Sequence, residues 1–323
     1  MRYHAFMKLM WLPIAALAVL VPLAAQKSGD PYLGRWDMTI TATDLTYPGW
    51  LEVTEQNGKM VARVQPRTGS VHPATDVVEA AAMSGPHVQT GLSLTVSKAT
   101  PEHPALTWDL SLKDGKLTGT QHYGDTVNVL TGVRAPALDR PAPKAWANPE
   151  PLFDGKDLAG WQPDNPAANH WVARNGELLN ESKGANLRTT RSFDDFKLHI
   201  EFNCPQGGNS GVYLRGRYEL QVEYEQVGAN DTFHEMGAIY GFLAPAVELP
   251  KKPGQWESFD VTLVGRRLTV LRNGVKTIDN QEIPGITGGA LDSHEGEPGP
   301  IYIQGDHTGG MKYRNITIAS AKR

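Results

Sequence analysis

Gly207-Gly208-Asn209-Ser210-Gly211-Val212-Tyr213-Leu214-Arg215, followed after a short turn by Tyr218-Glu219-Leu220-Gln221-Val222-Glu223-Tyr224-Glu225, reads as two β-strands in succession. Side chains of a strand alternate between its two faces. Val212 and Leu214 therefore share one face, and Tyr213 and Arg215 the other. In the second run Tyr218, Leu220, Val222 and Tyr224 fall together, while Glu219, Gln221, Glu223 and Glu225 line the opposite face. A row of carboxylates and an amide beside an arginine makes a poor core. It suits the wall of a polar cleft.

Outward from this hairpin, the composition is that of a turn-rich β protein: 33 Gly, 23 Pro, eight Trp and ten Tyr in 323 residues, a length that favours two domains. The net charge of −4, without a long basic run or zinc-finger spacing, argues against a nucleic-acid partner. Cys204 is the only cysteine, so no disulfide forms within these residues. Arg2 and Lys8 precede an apolar run from Leu9 to Ala25 that ends in small residues. This is the pattern of a secretory signal peptide over residues 1–25, and it implies export to the periplasm or the extracellular space. The run carries Pro13 and Pro22 and is short for a membrane span of about 20 residues. No later segment could span a bilayer.

Residues 30–134 read as a chain of short strands. Thr54 and Lys59 flank an Asn57-Gly58 turn, and Leu112 and Leu117 flank Lys113-Asp114-Gly115. Such turns supply the positive φ angles that tight hairpins need. Evenly spaced strands predict a small antiparallel barrel or sandwich. His72, His87, His103 and His122 are scattered without ligand spacing, and an accessory role is expected for this domain. Residues 135–151 hold five prolines and predict an extended, semi-rigid linker. Residues 152–320 carry about ten to twelve further strand-like runs, including one at Gly237–Gly241, and no convincing amphipathic helix. They predict a two-sheet, concanavalin A-like jelly roll, making the whole chain all-β.

The second domain resembles the 3-keto-disaccharide hydrolase domain family. The resemblance rests on Leu152-Phe153-Asp154-Gly155-Lys156-Asp157-Leu158-Ala159-Gly160-Trp161, Asn209-Ser210-Gly211-Val212-Tyr213-Leu214-Arg215, Tyr218-Glu219-Leu220-Gln221-Val222, Gly237-Ala238-Ile239-Tyr240-Gly241, and Ile303-Gln304-Gly305-Asp306-His307, in family order. Where many members place an Asp three residues after the Gln, this chain has Tyr224 between Glu223 and Glu225. The resemblance implies a secreted enzyme that cleaves 3-keto-glycosides. In such a sugar the C2–H is acidic, a base removes it, the C1 substituent leaves, and water adds back. That chemistry needs a base, an oxyanion partner and an acid.

Glu219, Glu223 and His307 are the candidates for proton transfer, and Arg215 for the enolate oxygen, since it is always charged and offers planar donors. Asn209, Ser210, Tyr213, Gln221, Tyr240, Gln304 and Asp306 are candidate sugar contacts, although Asn209-Ser210-Gly211 reads equally well as a turn. A divalent metal has donors available but no supporting ligand spacing, so no cofactor is expected. No dinucleotide fingerprint follows a strand, so a separate oxidoreductase must supply the keto sugar. Two rival readings stand: a retaining glycosidase using Glu219 and Glu223, and a non-catalytic sugar-binding module with Trp161, Trp171, Tyr213 or Tyr240 stacking on a ring. The stretch Asp292, His294, Glu295, Glu297 reads as a solvated loop, and His234 and Glu235 as solvated residues of a long loop, Val227 to Glu235, that could alternatively cover the cleft.

Overall fold

The computed structural model describes residues 30–84, 87–225 and 231–322. The predicted signal peptide lies outside the described residues, as do residues 227–230 of the predicted 227–235 loop. No helix among the described residues is long and apolar enough to cross a membrane.

The architecture is all-β. Among the described residues the strands form three antiparallel sheets, and the helical content is one short 3-10 turn at Pro166–Ala168. The first sheet is a nine-stranded meander in which Thr126–Arg134 returns to pair with Gly34–Thr41. Its strands Lys59–Gln65 and Asp76–Ser84 approach each other, so the sheet curls into a barrel. Trp36, Met38, Ile40, Leu51, Val53, Val64, Leu94, Trp108 and Leu130 fill it. The predicted hairpins form, with Asn57 and Gly58 at φ 53° and 75° and Asp114 and Gly115 at φ 51° and 74°.

The other two sheets make a jelly-roll sandwich. The larger contains Phe196–Asn203 between Trp256–Val264 and Met311–Lys322. The smaller runs Trp161–Pro163, Leu187–Thr189, Tyr302–Ile303, Asn209–Leu214, Tyr218–Glu223. Apolar alternation explains the packing: Val212, Leu214, Leu220 and Val222 meet Phe202, Phe259 and Val261 in one core. This leaves the opposite face of the Asn209–Leu214/Tyr218–Glu223 pair polar. The edge of that pair is not open. Gly237–Tyr240, which alternation reads as a strand, runs along it as an irregular segment: Gln221 N–H donates to Ala238 O, Gly237 N–H to Gln221 O, and Tyr240 N–H to Glu219 O. A covered edge cannot recruit a foreign strand.

The proline-rich stretch is extended but does not cross open solvent. Ala145–Trp146 and Glu150–Pro151 pair with Met311–Lys322, and Arg140 is ion-paired to Asp194 and Asp195. It is strapped along the sandwich.

Barrel and sandwich share a buried seam. Trp50, on the outer face of the barrel, is fully buried in the sandwich core, edge-on to Phe242 at a centroid distance of 5.4 Å. Glu295 is also fully buried, contrary to its reading as part of a solvated loop. Arg266 Nη2 donates to Glu295 Oε2 at 2.6 Å and Tyr218 OH to Oε1 at 2.8 Å, which satisfies the charge away from water. Burial, then the charge of Glu295, pushes the barrel's Asp37 up to about 9, so that Asp37 enters the seam protonated. Its folded pKa is raised. The stability it contributes is therefore fully present below the ordinary carboxylate range and is lost as pH rises through about 9. Asp37→Asn, which keeps a donor toward Glu295, is expected to flatten that decline. Between about pH 5 and 9 the unfolding free energy of the parent should fall relative to the variant by at most about 1.4 kcal/mol per pH unit, read as a falling difference in melting temperature. Parallel melting curves across that range would rule the linkage out.

Candidate active site

The polar face of the hairpin floors a cavity of about 130 Å³, well below the ~300–1,000 Å³ of drug-sized pockets and suited to one small ring. Asn209, Tyr213, Glu219, Gln221, Tyr240, Gln304, Asp306 and His307 line it; Thr68, Gly69, Gly288 and Gly289 complete the wall. Alternation predicts the cavity face of Tyr213, Glu219 and Gln221. Their register agrees, with Tyr213 opposite Glu219 and Gly211 opposite Gln221.

Glu219 is the central group. A Cβ built on Gly211 would lie 2.2 Å from its Oε1, so the glycine makes room for the carboxyl over the neighbouring strand. Burial raises Glu219 to about 8, against the lowering effects of the Tyr213 hydroxyl and His307, so at neutral pH it is predominantly the acid. His307 stands beside it on the loop after Tyr302–Ile303. Its Nδ1 is hydrogen-bonded to Asp306 Oδ1 at 2.7 Å, and this bond raises the imidazole above its ordinary value. The bond also directs basicity to Nε2. Asn186, which sequence reasoning overlooks, fixes that loop: its Oδ1 accepts from the Gly305 and Asp306 backbone N–H groups. Gln221 Oε1 and Gln304 Oε1 are buried without a hydrogen-bond partner. Buried acceptors left unpaired are costly, which points to a ligand rich in hydroxyl donors.

Several sequence expectations are corrected. Arg215 does not reach the cavity. Strand alternation stops at Leu214, and Arg215 occupies the turn at φ 54°, where its guanidinium is fully buried against Gly265 O and the Tyr218 hydroxyl. Ser210 lies behind the sheet, with its hydroxyl at 2.7 Å from both Gln304 O and Tyr313 OH. Asn209-Ser210-Gly211 is strand rather than turn. Glu223 lies outside the cavity lining: four residues at ~3.3 Å each put it about 13 Å along the strand from Glu219. Burial raises it to about 7. Glu219 and Glu223 therefore do not converge as a retaining pair requires. Trp161 and Trp171 are core residues whose indole N–H groups donate to Leu152 O and Ala185 O, so neither offers a stacking surface. Tyr213 and Tyr240 are the aromatics that line the cavity, and His234 packs against the Tyr240 ring rather than standing in solvent. Among the described residues no three His, Cys, Asp or Glu side chains form a metal-binding group. A larger open groove of about 510 Å³ lies on the outer sheet by Arg140, Trp146 and Lys197, but no buried unpartnered polar atom lines it.

A family model described as the 3-keto-alpha-glucoside-1,2-lyase-like domain matches residues 148–319. The chain belongs to this family. The matched segment is a glycoside-acting domain, and the cavity lies wholly on it except for the barrel residues Thr68 and Gly69. Three crystal structures from Parabacteroides distasonis, each provisionally named a glycosyl hydrolase, are similar to it. One is 27% identical, covers 55% of this chain and 92% of its own, and has a TM-score of 0.46. The second is 26% identical, covers 54% and 99%, and has a TM-score of 0.42. The third is 19% identical, covers 54% and 94%, and has a TM-score of 0.45. No protein of curated function matches the chain.

Proposed function

We propose that the protein is an exported enzyme that cleaves 3-keto-glycosides by elimination at C2 and rehydration. The observation that carries the reading is the juxtaposition of a protonated buried carboxyl, Glu219, with the Asp306-His307 pair in a cavity lined by unpartnered amide oxygens. His307 Nε2 takes the C2 proton. The electron pair moves onto the C3 carbonyl oxygen as an enolate and then returns to form the C1=C2 bond as the C1–O bond breaks, and the departing oxygen takes the proton of Glu219. Gln221 and Gln304 carry amide donors for the enolate oxygen in place of the expected Arg215. In the second half, Glu219 as carboxylate takes a proton from water as its hydroxyl adds to C1, and His307 returns its proton to C2. The result is net hydrolysis. A separate oxidoreductase is needed to make the keto sugar, and the N-terminal basic and apolar run supports export.

The test is aglycone release from a nitrophenyl glucoside and from its 3-keto derivative, with and without chelator. Release from the keto sugar alone, unaffected by chelator, is the expected result. Equal release from the plain glucoside would replace elimination with direct glycosidic displacement.

A further inference from the structure

The barrel contributes more to the cavity than an accessory domain would. Thr68 and Gly69 belong to the loop that follows Lys59–Gln65, yet they line the cavity floored by the sandwich hairpin. The loop is held from inside and from outside. Inside, the fully buried Gln65 donates from Nε2 to Pro66 O at 2.8 Å and to Gly69 O at 2.9 Å. Outside, Gly289 N–H donates to Arg67 O at 3.1 Å. Ser70 Oγ is hydrogen-bonded to His234 Nε2, and the His234 ring rests edge-on against Tyr240 at 4.7 Å. A Cβ on Gly288 would come within 2.2 Å of Gly69 O, so the sandwich loop touches the barrel loop backbone to backbone. Tyr213 OH closes the same corner by donating to Gly288 O at 2.9 Å.

We propose that the Pro66–Val71 loop of the barrel is a preformed wall of the active site that contacts the sugar ring, with Thr68 as a specificity-determining residue. The inference rests on the reading of the cavity as a keto-sugar site. A loop tied at Gln65, Arg67 and Ser70 needs no ordering when substrate arrives, so its contacts count fully toward binding. It acts on how the ring seats and not on proton transfer. Its signature is therefore a change in KM rather than in kcat.

The experiment uses the full chain, with a nitrophenyl 3-keto-glucoside as the probe. Thr68 is exposed, so Thr68→Phe adds bulk to the cavity without entering a core. Thr68→Phe is expected to raise KM about tenfold or more at an unchanged melting temperature, and Thr68→Ala to raise it by a smaller factor with kcat retained. Thr68→Ser should restore the parent KM. If Thr68→Phe melts early, Thr68→Ala alone decides. Parent values of KM and kcat in both Thr68→Phe and Thr68→Ala would overturn the role of the loop while leaving the chemistry standing. A parent enzyme inactive on the keto sugar would overturn the functional reading, and this inference with it.

Discussion

Glu219→Gln is expected to lower kcat on a 3-keto-glucoside by about 10²–10⁴-fold, the usual contribution of a positioned acid–base group. The substitution keeps the shape that Gly211 makes room for and removes the titrating proton. In the parent, kcat/KM should be bell-shaped. The acid limb follows His307, raised above its ordinary value by Asp306, because the base must be neutral. The alkaline limb follows Glu219 near 8, because the acid must hold its proton. In the glutamine variant the residual activity should lose the alkaline limb and keep the acid one. A variant with full activity would remove Glu219 from the mechanism. A variant with low activity but an unchanged bell would make it a binding group only.

Trp50→Ala is expected to have the largest effect on stability. A fully buried indole at the barrel–sandwich seam is deleted, and Trp→Ala in a core costs about 3–5 kcal/mol. For a chain of this size that corresponds to a fall in melting temperature of about 10 °C. The indole N–H has no partner, so Trp50→Phe loses no hydrogen bond and should recover most of the loss. Because Trp50 lies on the strand paired with Lys59–Gln65, the alanine variant should also loosen the Pro66–Val71 wall and raise KM. Melting within a degree or two of the parent would show that Trp50 does not anchor the seam.

The sequence was most legible where alternation runs unbroken. Tyr213, Glu219 and Gln221 could be assigned to one polar face because each sits inside a regular strand, and the Asn-Gly turns announced their own hairpins. It misled at the strand's end. The same counting that placed Tyr213 placed Arg215 beside it, but a residue at positive φ in a turn obeys no two-residue period. Glu295 was misread because its Gly- and Pro-bounded surroundings look solvated. Its burial comes from Arg266 and the barrel's Asp37, both distant in sequence. Asn186, Thr68 and the Gly288-Gly289 corner carried no local signal at all. They matter because tertiary packing brings three separate loops to one cavity.

The connectivity of the sheets also orders events in time. The barrel is a meander of neighbouring hairpins closed by one longer pairing, Gly34–Thr41 with Thr126–Arg134, so most of its pairings are local in sequence. The sandwich depends on Met311–Lys322, which sits between Glu177–Asn180 and Phe196–Asn203 and also holds the proline-rich strap. On a ribosome that emits about 5–20 residues per second, the barrel has its full sequence well before that strand appears. Until it arrives, the hairpin bearing Glu219 has no completed opposing sheet to back it. The polar face of that hairpin is therefore assembled last, against a wall already in place, and nascent chains should gain protection from proteolysis in the barrel before the sandwich.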